Sequence, residues 1–152
     1  MEKVIHSSIE EGQLDSRISR LVKVANRAIR KEMQDQLNSY GITPAQWSAL
    51  GIIYKHPGLL ASEVQTILLI ERSSVTSLIN GLVKRELVYR EDHPDDGRYK
   101  RLYLTENGKE LAHQTKHLAR LIDEKIGSAY TSEEIQLLKK LLVKMVDKLE
   151  KE

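Results

Sequence analysis

Apolar residues recur every three or four positions over much of the chain, which predicts a mainly helical protein. The first stripe runs from Leu14 to Leu37 and ends at the sequence SYG, where Gly41 suits a left-handed helix cap. The sequences TPAQ, starting at Thr43, and SEVQ, starting at Ser62, each match the capping box that opens a helix. The predicted helices of this half of the chain span about 14–37, 44–55, 62–69 and 73–85.

The pattern changes after Leu87. LVYRED and KRLYLT are rich in alternating, β-prone residues, and the intervening HPDDGR is rich in turn formers, so we expect a β-hairpin. Thr105 should then cap a long helix that ends at Gly127, and TSEE from Thr131 should open a last amphipathic helix. Short helices followed by a hairpin are typical of the winged helix-turn-helix, a mainly α (α+β) fold in which the hairpin is the wing.

The apolar surfaces divide the chain into three regions. Residues 43–105 can form a small core around the hairpin, whereas residues 1–42 and 106–152 carry helix faces too long for that core to bury. An amphipathic helix without a partner in its own chain usually finds one in another chain. We therefore expect the two flanking regions to be dimerisation helices of a homodimer.

The predicted helix over 73–85 has a polar face of short hydroxyl and amide side chains, and no acid occurs from Arg72 to Arg85. Such a face fits a DNA major groove, because small groups let the helix lie deep, whereas carboxylates would meet phosphate repulsion. Basic residues at the helix ends can contact phosphates. The candidate DNA-contacting residues lie in this helix, just before it and at the start of the helix over 62–69. They are Ser62, Arg72, Ser73, Ser74, Thr76, Ser77, Asn80 and Lys84.

Composition narrows the function classes. The 152 residues carry a net charge of +2 and no cysteine, which excludes disulfides and thiol chemistry. No apolar run approaches the roughly 18 residues needed to cross a bilayer, and no signal peptide is recognisable, so we expect a cytoplasmic protein. No nucleophile–base pair, carboxylate pair or glycine-rich phosphate loop is evident, so we expect neither an enzyme nor a cofactor.

The hairpin carries the most specific sequence of the chain. HPDDGRYKRLYLT contains the pattern D-x-R followed by L-T, and ITPAQWSALGII at 42–53 and the stretch 72–111 add to it. With these motifs the chain resembles the MarR family of transcriptional regulators over nearly its whole length. The resemblance implies a repressor that binds double-stranded DNA at an inverted-repeat operator as a homodimer.

The resemblance also implies roles for the wing residues. Arg98 would enter the minor groove, where the negative potential favours a guanidinium, and Asp96 would orient it through a forked ion pair. Arg90 and Lys100 flank the wing and are candidate phosphate contacts. Because neighbours in a strand face opposite sides, Lys100 and Arg101 cannot both face DNA.

Two residues depart from the family's pattern. Glu86 stands where family members usually have the glycine that ends the recognition helix, so this helix must end on a less favourable backbone or end differently. Gly81 lies inside the helix and should weaken it by about 0.8–1 kcal/mol relative to alanine. Neither departure removes a groove-facing side chain.

Members of the family are commonly released from DNA by small phenolic or carboxylic ligands. Tyr40, Trp47 and Tyr54 are candidates for lining a pocket for an anionic aromatic effector, although core or interface aromatics are the simpler interpretation. His113 and His117 are spaced one helical turn apart, as in the histidine pair with which some relatives sense zinc. Exposed helix histidines are the simpler interpretation here, and we predict no metal site.

A winged helix can also serve as a protein-interaction module without sequence-specific DNA binding. Its groove-facing helix would be free to acquire acids or large apolar residues. The acid-free face and the D-x-R wing favour the DNA-binding interpretation.

Overall fold

The computed structural model describes residues 17–151. These residues form seven α-helices, one 3-10 turn and three short strands, and the chain divides into two compact units between Thr115 and Lys116. The predicted start of the first helix at Leu14 lies outside the described residues. The elements are α1 (Ile18–Leu37), the 3-10 turn (Asn38–Tyr40), α2 (Pro44–Lys55), β1 (Leu59–Leu60), α3 (Ala61–Leu68), α4 (Arg72–Lys84), β2 (Val88–Asp92), β3 (Lys100–Leu104), α5 (Glu106–Thr115), α6 (Leu118–Gly127) and α7 (Ser132–Glu150).

The helix starts follow local capping chemistry, with one correction. Thr43 caps α2 through the predicted capping box. Thr131 caps α7 at its predicted start, and it also does so through a capping box. The predicted cap at Ser62 is wrong, since α3 begins at Ala61 and Ser62 lies within its first turn. The reason is Glu63, whose carboxylate accepts the backbone N–H of Leu60 at 2.7 Å and so fixes the helix start at that residue.

The sheet is antiparallel, with the strand order β1-β3-β2. The predicted hairpin forms β2 and β3, in a register that pairs Val88 with Leu104 and Asp92 with Lys100. The sequence does not predict β1, because its two residues are too few to show an alternating pattern. Its two leucines pair with β3 on the edge opposite β2, and so connect the wing to the start of α3.

The core of the first unit joins α3 and α4, which form the helix-turn-helix, to β2 and β3, which form the wing, and to α5. Helix α5, which the sequence placed in the C-terminal flanking region, packs on α2 and on β3. The buried hydrophobic side chains come from every helix and from all but the shortest strand: Leu37, Ile42, Ala49, Leu50, Ile53, Val64, Val75, Ile79, Leu82, Leu87, Val88, Leu102, Leu104 and Ala112.

Helix α4 ends on a strained backbone, as the missing glycine predicts. Glu86 has φ 58°, in the left-handed region that is unfavourable for residues with a side chain. The Glu86 N–H donates to Val83 O at 2.9 Å and the Leu87 N–H to Leu82 O at 3.0 Å, which is the Schellman arrangement. Thr105 supports it, because its hydroxyl donates to the Glu86 carbonyl at 2.6 Å.

Gly81 sits within α4 without a packing need for glycine. A Cβ at this position would lie 3.6 Å from Gln46 Nε2, which is ordinary van der Waals contact. We expect Gly81→Ala to raise the free energy of unfolding, measured by urea denaturation, by about 0.8–1 kcal/mol. A fall in stability would show that Gln46 cannot accommodate the added methyl group.

The predicted continuous helix from Thr105 to Gly127 is wrong. It is interrupted at Lys116 and His117, so that α5 and α6 are separate helices. The hydroxyl of the buried Thr115 donates to Leu111 O at 2.8 Å, a bond to the preceding turn that tends to bend helices. His113 therefore lies in α5, whereas His117 lies in the interruption and not in a helix.

In the second unit, α7 has no buried residue among its 19 positions. Seven large aliphatic side chains of this helix are exposed: Leu137, Leu138, Leu141, Leu142, Val143, Val146 and Leu149. An exposed apolar surface of this size usually marks a contact with another protein surface.

Candidate nucleic-acid interface

Helix α4 separates its apolar and polar faces as the sequence predicts. Val75, Ile79 and Leu82 are buried beneath it. The predicted DNA-contacting residues Ser73, Ser74, Thr76, Ser77, Asn80 and Lys84 are all exposed. The Thr76 hydroxyl donates to Arg72 O at 3.1 Å, so this hydroxyl is left to act as an acceptor and its methyl group as an apolar contact.

A basic cleft lies between the helix-turn-helix and the wing, with a volume of about 500 Å³. Four cations, Arg72, Arg90, Arg98 and Lys100, line this cleft together with Ser62 and Thr76, and no acidic side chain from residues 17–151 is part of its lining. Six of the predicted site residues, taken from α3, α4 and the wing, are thus brought together by the fold. Arg98 and Lys100 are each ion-paired with an aspartate, Asp96 and Asp92, whereas Arg90 donates to a neutral amide, so the cleft keeps a net positive charge. Such a charge attracts a polyanion.

Arg98 is held by Asp96 in the forked ion pair that the sequence predicts. Arg98 Nε donates to both carboxylate oxygens of Asp96, at 3.0 and 3.1 Å, and Nη2 donates to Oδ2 at 2.7 Å. The backbone N–H of Arg98 also donates to Asp96 Oδ1 at 3.0 Å. These bonds lower the pKa of Asp96 and raise the pKa of Arg98, so both stay charged at neutral pH.

The pair leaves the arginine accessible. The Arg98 side chain is 86% exposed, whereas that of Asp96 is 30% exposed. The carboxylate thus works mainly as a fixed support, and the guanidinium keeps its remaining N–H groups for a partner.

The two faces of the wing have different neighbours. Lys100 lies on the cleft side and forms an ion pair with Asp92, a contact that sequence analysis missed. Arg101 lies on the opposite side, and its Nη2 is 3.4 Å from His93 Nε2. Only Lys100 of these two cations faces the cleft, in agreement with the alternation expected for a strand.

Two further contacts connect the end of α4 to its surroundings. Arg90 Nη2 donates to Asn80 Oδ1, which links the wing to the recognition helix. Arg85 Nη1 donates to Gly41 O at 2.6 Å and therefore supports the turn before α2 instead of facing the groove.

Two polar residues that the sequence did not single out, Gln65 and Tyr99, also line the basic cleft. Gln65 lies three residues after Ser62 and so shares its helix face, a spacing that could have indicated it. Tyr99 directly follows Arg98 and is 56% exposed, but its position depends on the conformation of the hairpin tip.

A second, smaller cavity of about 160 Å³ lies at the root of the wing. We call it the aromatic cavity; its lining residues are Ile53, Tyr54, Pro57, Tyr89, Tyr103, Leu104 and Lys109. Of the three predicted effector residues, it contains Tyr54 but neither Tyr40 nor Trp47, which are both partly buried elsewhere in the first unit. Tyr89 and Tyr103, which the sequence did not single out, stack with ring centroids 5.5 Å apart.

Between residues 17 and 151, no three His, Asp or Glu side chains converge as a metal site would require. His113 and His117 are exposed. None of the helices in this range has the length and apolarity to span a bilayer.

Comparison with known proteins identifies the family. A model of the MarR family matches residues 40–98. YsmB, an uncharacterized HTH-type transcriptional regulator of Bacillus subtilis (strain 168), is 31% identical over 119 residues, which cover 77% of this chain and 80% of YsmB. The chain belongs to the MarR family. This MarR-family chain is also 31% identical over 96 residues to the HTH-type transcriptional repressor MdtR of the same organism, covering 63% of the chain and 62% of MdtR.

Solved structures agree on the fold of this MarR-family chain. MepR of S. aureus, in a crystal structure of its DNA complex, superimposes with a TM-score of 0.82 at 24% identity, over 88% of this chain and 99% of MepR. A mutant MarR from E. coli complexed with operator DNA gives a TM-score of 0.79 at 23% identity, over 84% of this chain and 92% of MarR. The chain is therefore a winged-helix, DNA-binding transcriptional regulator of the MarR family.

Proposed function

We propose that this protein is a sequence-specific repressor that binds an inverted-repeat operator in double-stranded DNA as a homodimer. The observation that carries the proposal is the basic cleft between the recognition helix and the wing, where four cations outnumber the two carboxylates paired with them, Asp92 and Asp96. A protein-interaction module would have no need for this excess of positive charge.

The proposed roles follow from where each side chain lies. Helix α4 enters the major groove, where the exposed Ser73, Ser77 and Asn80 read base edges. Arg72 and Lys84, at the two ends of this helix, contact phosphates. Arg98 enters the adjacent minor groove from the wing. Four proposed contacts complete the surface around them: Ser62, Ser74, Thr76 and Lys100.

The exposed apolar surface of α7 supports dimerisation, because this helix buries none of its own residues. In α1, the side chains of Ile18, Leu21 and Val22 are exposed as well. A twofold dimer of this kind would present two recognition helices about 34–36 Å apart, one turn of DNA. Repression as the regulatory outcome is supported by the name of the relative MdtR, which is a repressor.

The test is selection of bound duplexes from a random DNA pool, followed by salt titration on the enriched sequence. We expect an inverted repeat with half-sites one helical turn apart and a steep fall of affinity with salt. A single unpaired half-site would contradict the homodimeric operator complex. A pool without enrichment, with only weak salt-sensitive binding, would favour the protein-interaction module.

We further propose that an anionic aromatic molecule releases the protein from DNA by binding in the aromatic cavity. A cavity of about 150 Å³ can hold one benzene ring, and this one is of that size. Tyr54, Tyr89 and Tyr103 offer apolar ring faces and hydroxyls. Lys109 donates to Glu106 Oε1 at 3.1 Å, and the further N–H groups of its ammonium can meet the carboxylate of an effector. Because the cavity joins α2, the wing strands and α5, an occupant could shift the wing relative to the recognition helix.

Benzoate should therefore weaken operator binding at millimolar concentration, whereas the neutral benzamide should act less, because only benzoate can pair with Lys109. Lys109→Gln should abolish this difference, and Lys55→Gln, an equal charge change at the end of α2, should preserve it. The measurement is operator affinity by fluorescence anisotropy. Equal insensitivity to both compounds would rule out an anion effector at this cavity.

A further inference from the structure

We propose that Arg90 is a positioning residue that fixes the side-chain amide of Asn80 and thereby sets which bases the recognition helix accepts. The inference rests on the proposed function, since it requires α4 to lie in the major groove. It assigns Arg90 a part in base selection beyond a phosphate contact.

The geometry places Arg90 between the wing and the recognition helix. Arg90 lies in β2 opposite Leu102 and on the cleft side of the sheet, where it lines the basic cleft. From there its Nη2 donates to Oδ1 of Asn80, ten residues earlier in the chain. Asn80 lies in the exposed polar face of α4, five residues before Arg85, which is the C-cap of the helix.

An asparagine side chain carries an acceptor on one side and a donor on the other. Rotation of the amide by about 180° exchanges the two, so an isolated asparagine can present either group to a base. The Arg90 guanidinium has only donors, and it would face the amide NH₂ unfavourably in the reversed orientation. Arg90 therefore holds the Asn80 carbonyl towards itself and leaves the NH₂ group as the donor for the groove.

A fixed donor selects among the base edges of the major groove. Guanine offers the acceptors N7 and O6, adenine offers N7 and thymine offers O4, whereas cytosine offers only the N4 donor. We therefore expect Asn80 to reject cytosine at the base that it reaches. This discrimination should depend on Arg90 although Arg90 itself need not touch that base.

The experiment compares wild type, Arg90→Gln, Asn80→Ala and the double variant on a set of operators in which each base pair is replaced in turn. Arg101→Gln is the matched control, because it removes an equal charge from the opposite face of the neighbouring strand. We expect about tenfold discrimination against cytosine at one position of each half-site in wild type and in Arg101→Gln. Arg90→Gln and Asn80→Ala should each reduce it to about threefold or less at that same position, and the double variant should reduce it no further.

A different outcome would overturn the inference. If Arg90 is only a phosphate contact, Arg90→Gln will lower affinity equally on every operator, reduce the salt slope by about one per protomer and add to the effect of Asn80→Ala. That result would leave the proposed function intact, because wild type would still discriminate. Absence of any sequence preference in wild type would instead remove both proposals.

Discussion

Replacing Arg98 with alanine is expected to weaken operator binding at least about 30-fold, with the protein still folded and dimeric. Each lost guanidinium contact to DNA is worth about 1–3 kcal/mol, and a homodimer loses two of them. The side chain is 86% exposed in the free protein, so its removal creates no cavity in the core. The measurement is operator affinity over a range of salt concentrations, with sedimentation to confirm the dimer.

Arg101→Ala is the control for this prediction. It removes the same charge from the wing, but Arg101 lies near His93 on the side away from the basic cleft, so we expect a few-fold loss at most. Equal losses from the two variants would mean that only the overall charge of the wing matters. An unchanged affinity in Arg98→Ala would contradict the role of the wing.

Asp96 should show its supporting role through a smaller loss. In Asp96→Asn the guanidinium remains but loses its charged fork, so binding should weaken less than in Arg98→Ala. Because Arg98 lowers the pKa of Asp96, the pair is intact above the ordinary carboxyl pKa and is lost only as pH falls through the lowered value. The wing therefore stays oriented at neutral and mildly acidic pH.

The sequence predicts best those features that depend on neighbouring residues. The caps at Thr43 and Thr131 and the fork between Asp96 and Arg98 each join groups two or three positions apart. The positive φ of Glu86 is another feature that depends on neighbouring residues, because it is set by the position at which α4 ends.

The features that escaped prediction depend on contacts between distant segments or on competition between neighbours. Strand β1 exists only because β3 lies beside it. The bond from Arg90 to Asn80 and the stack of Tyr89 on Tyr103 depend on the orientation and register of the wing. The start of α3 was misplaced because Ser62 and Glu63 both suit a cap sequence, and Glu63 reaches back to Leu60.

Replacing Gly108 with alanine is expected to lower the free energy of unfolding by about 3 kcal/mol or more, a large part of the stability of a domain this size. A Cβ at this position would lie only 2.0 Å from the backbone carbonyl oxygen of Leu87 and 3.3 Å from Leu104 Cβ. The carbonyl cannot easily retreat, because it accepts the Thr105 N–H at 3.1 Å. The measurement is urea denaturation of the full chain.

The expected damage reaches the DNA-binding surface, because this contact joins the end of the recognition helix to the start of α5. The Thr105 hydroxyl accepts the Gly108 N–H at 3.0 Å while it donates to the Glu86 carbonyl, so the added methyl group would separate all three residues. Gly81→Ala is the matched control, since it is the same change within a helix that has room for it. We expect opposite signs for the two substitutions. A Gly108→Ala protein within about 1 kcal/mol of wild type would show that α5 can move away from Leu87 at little cost, and that the wing root is less rigid than its hydrogen bonds imply.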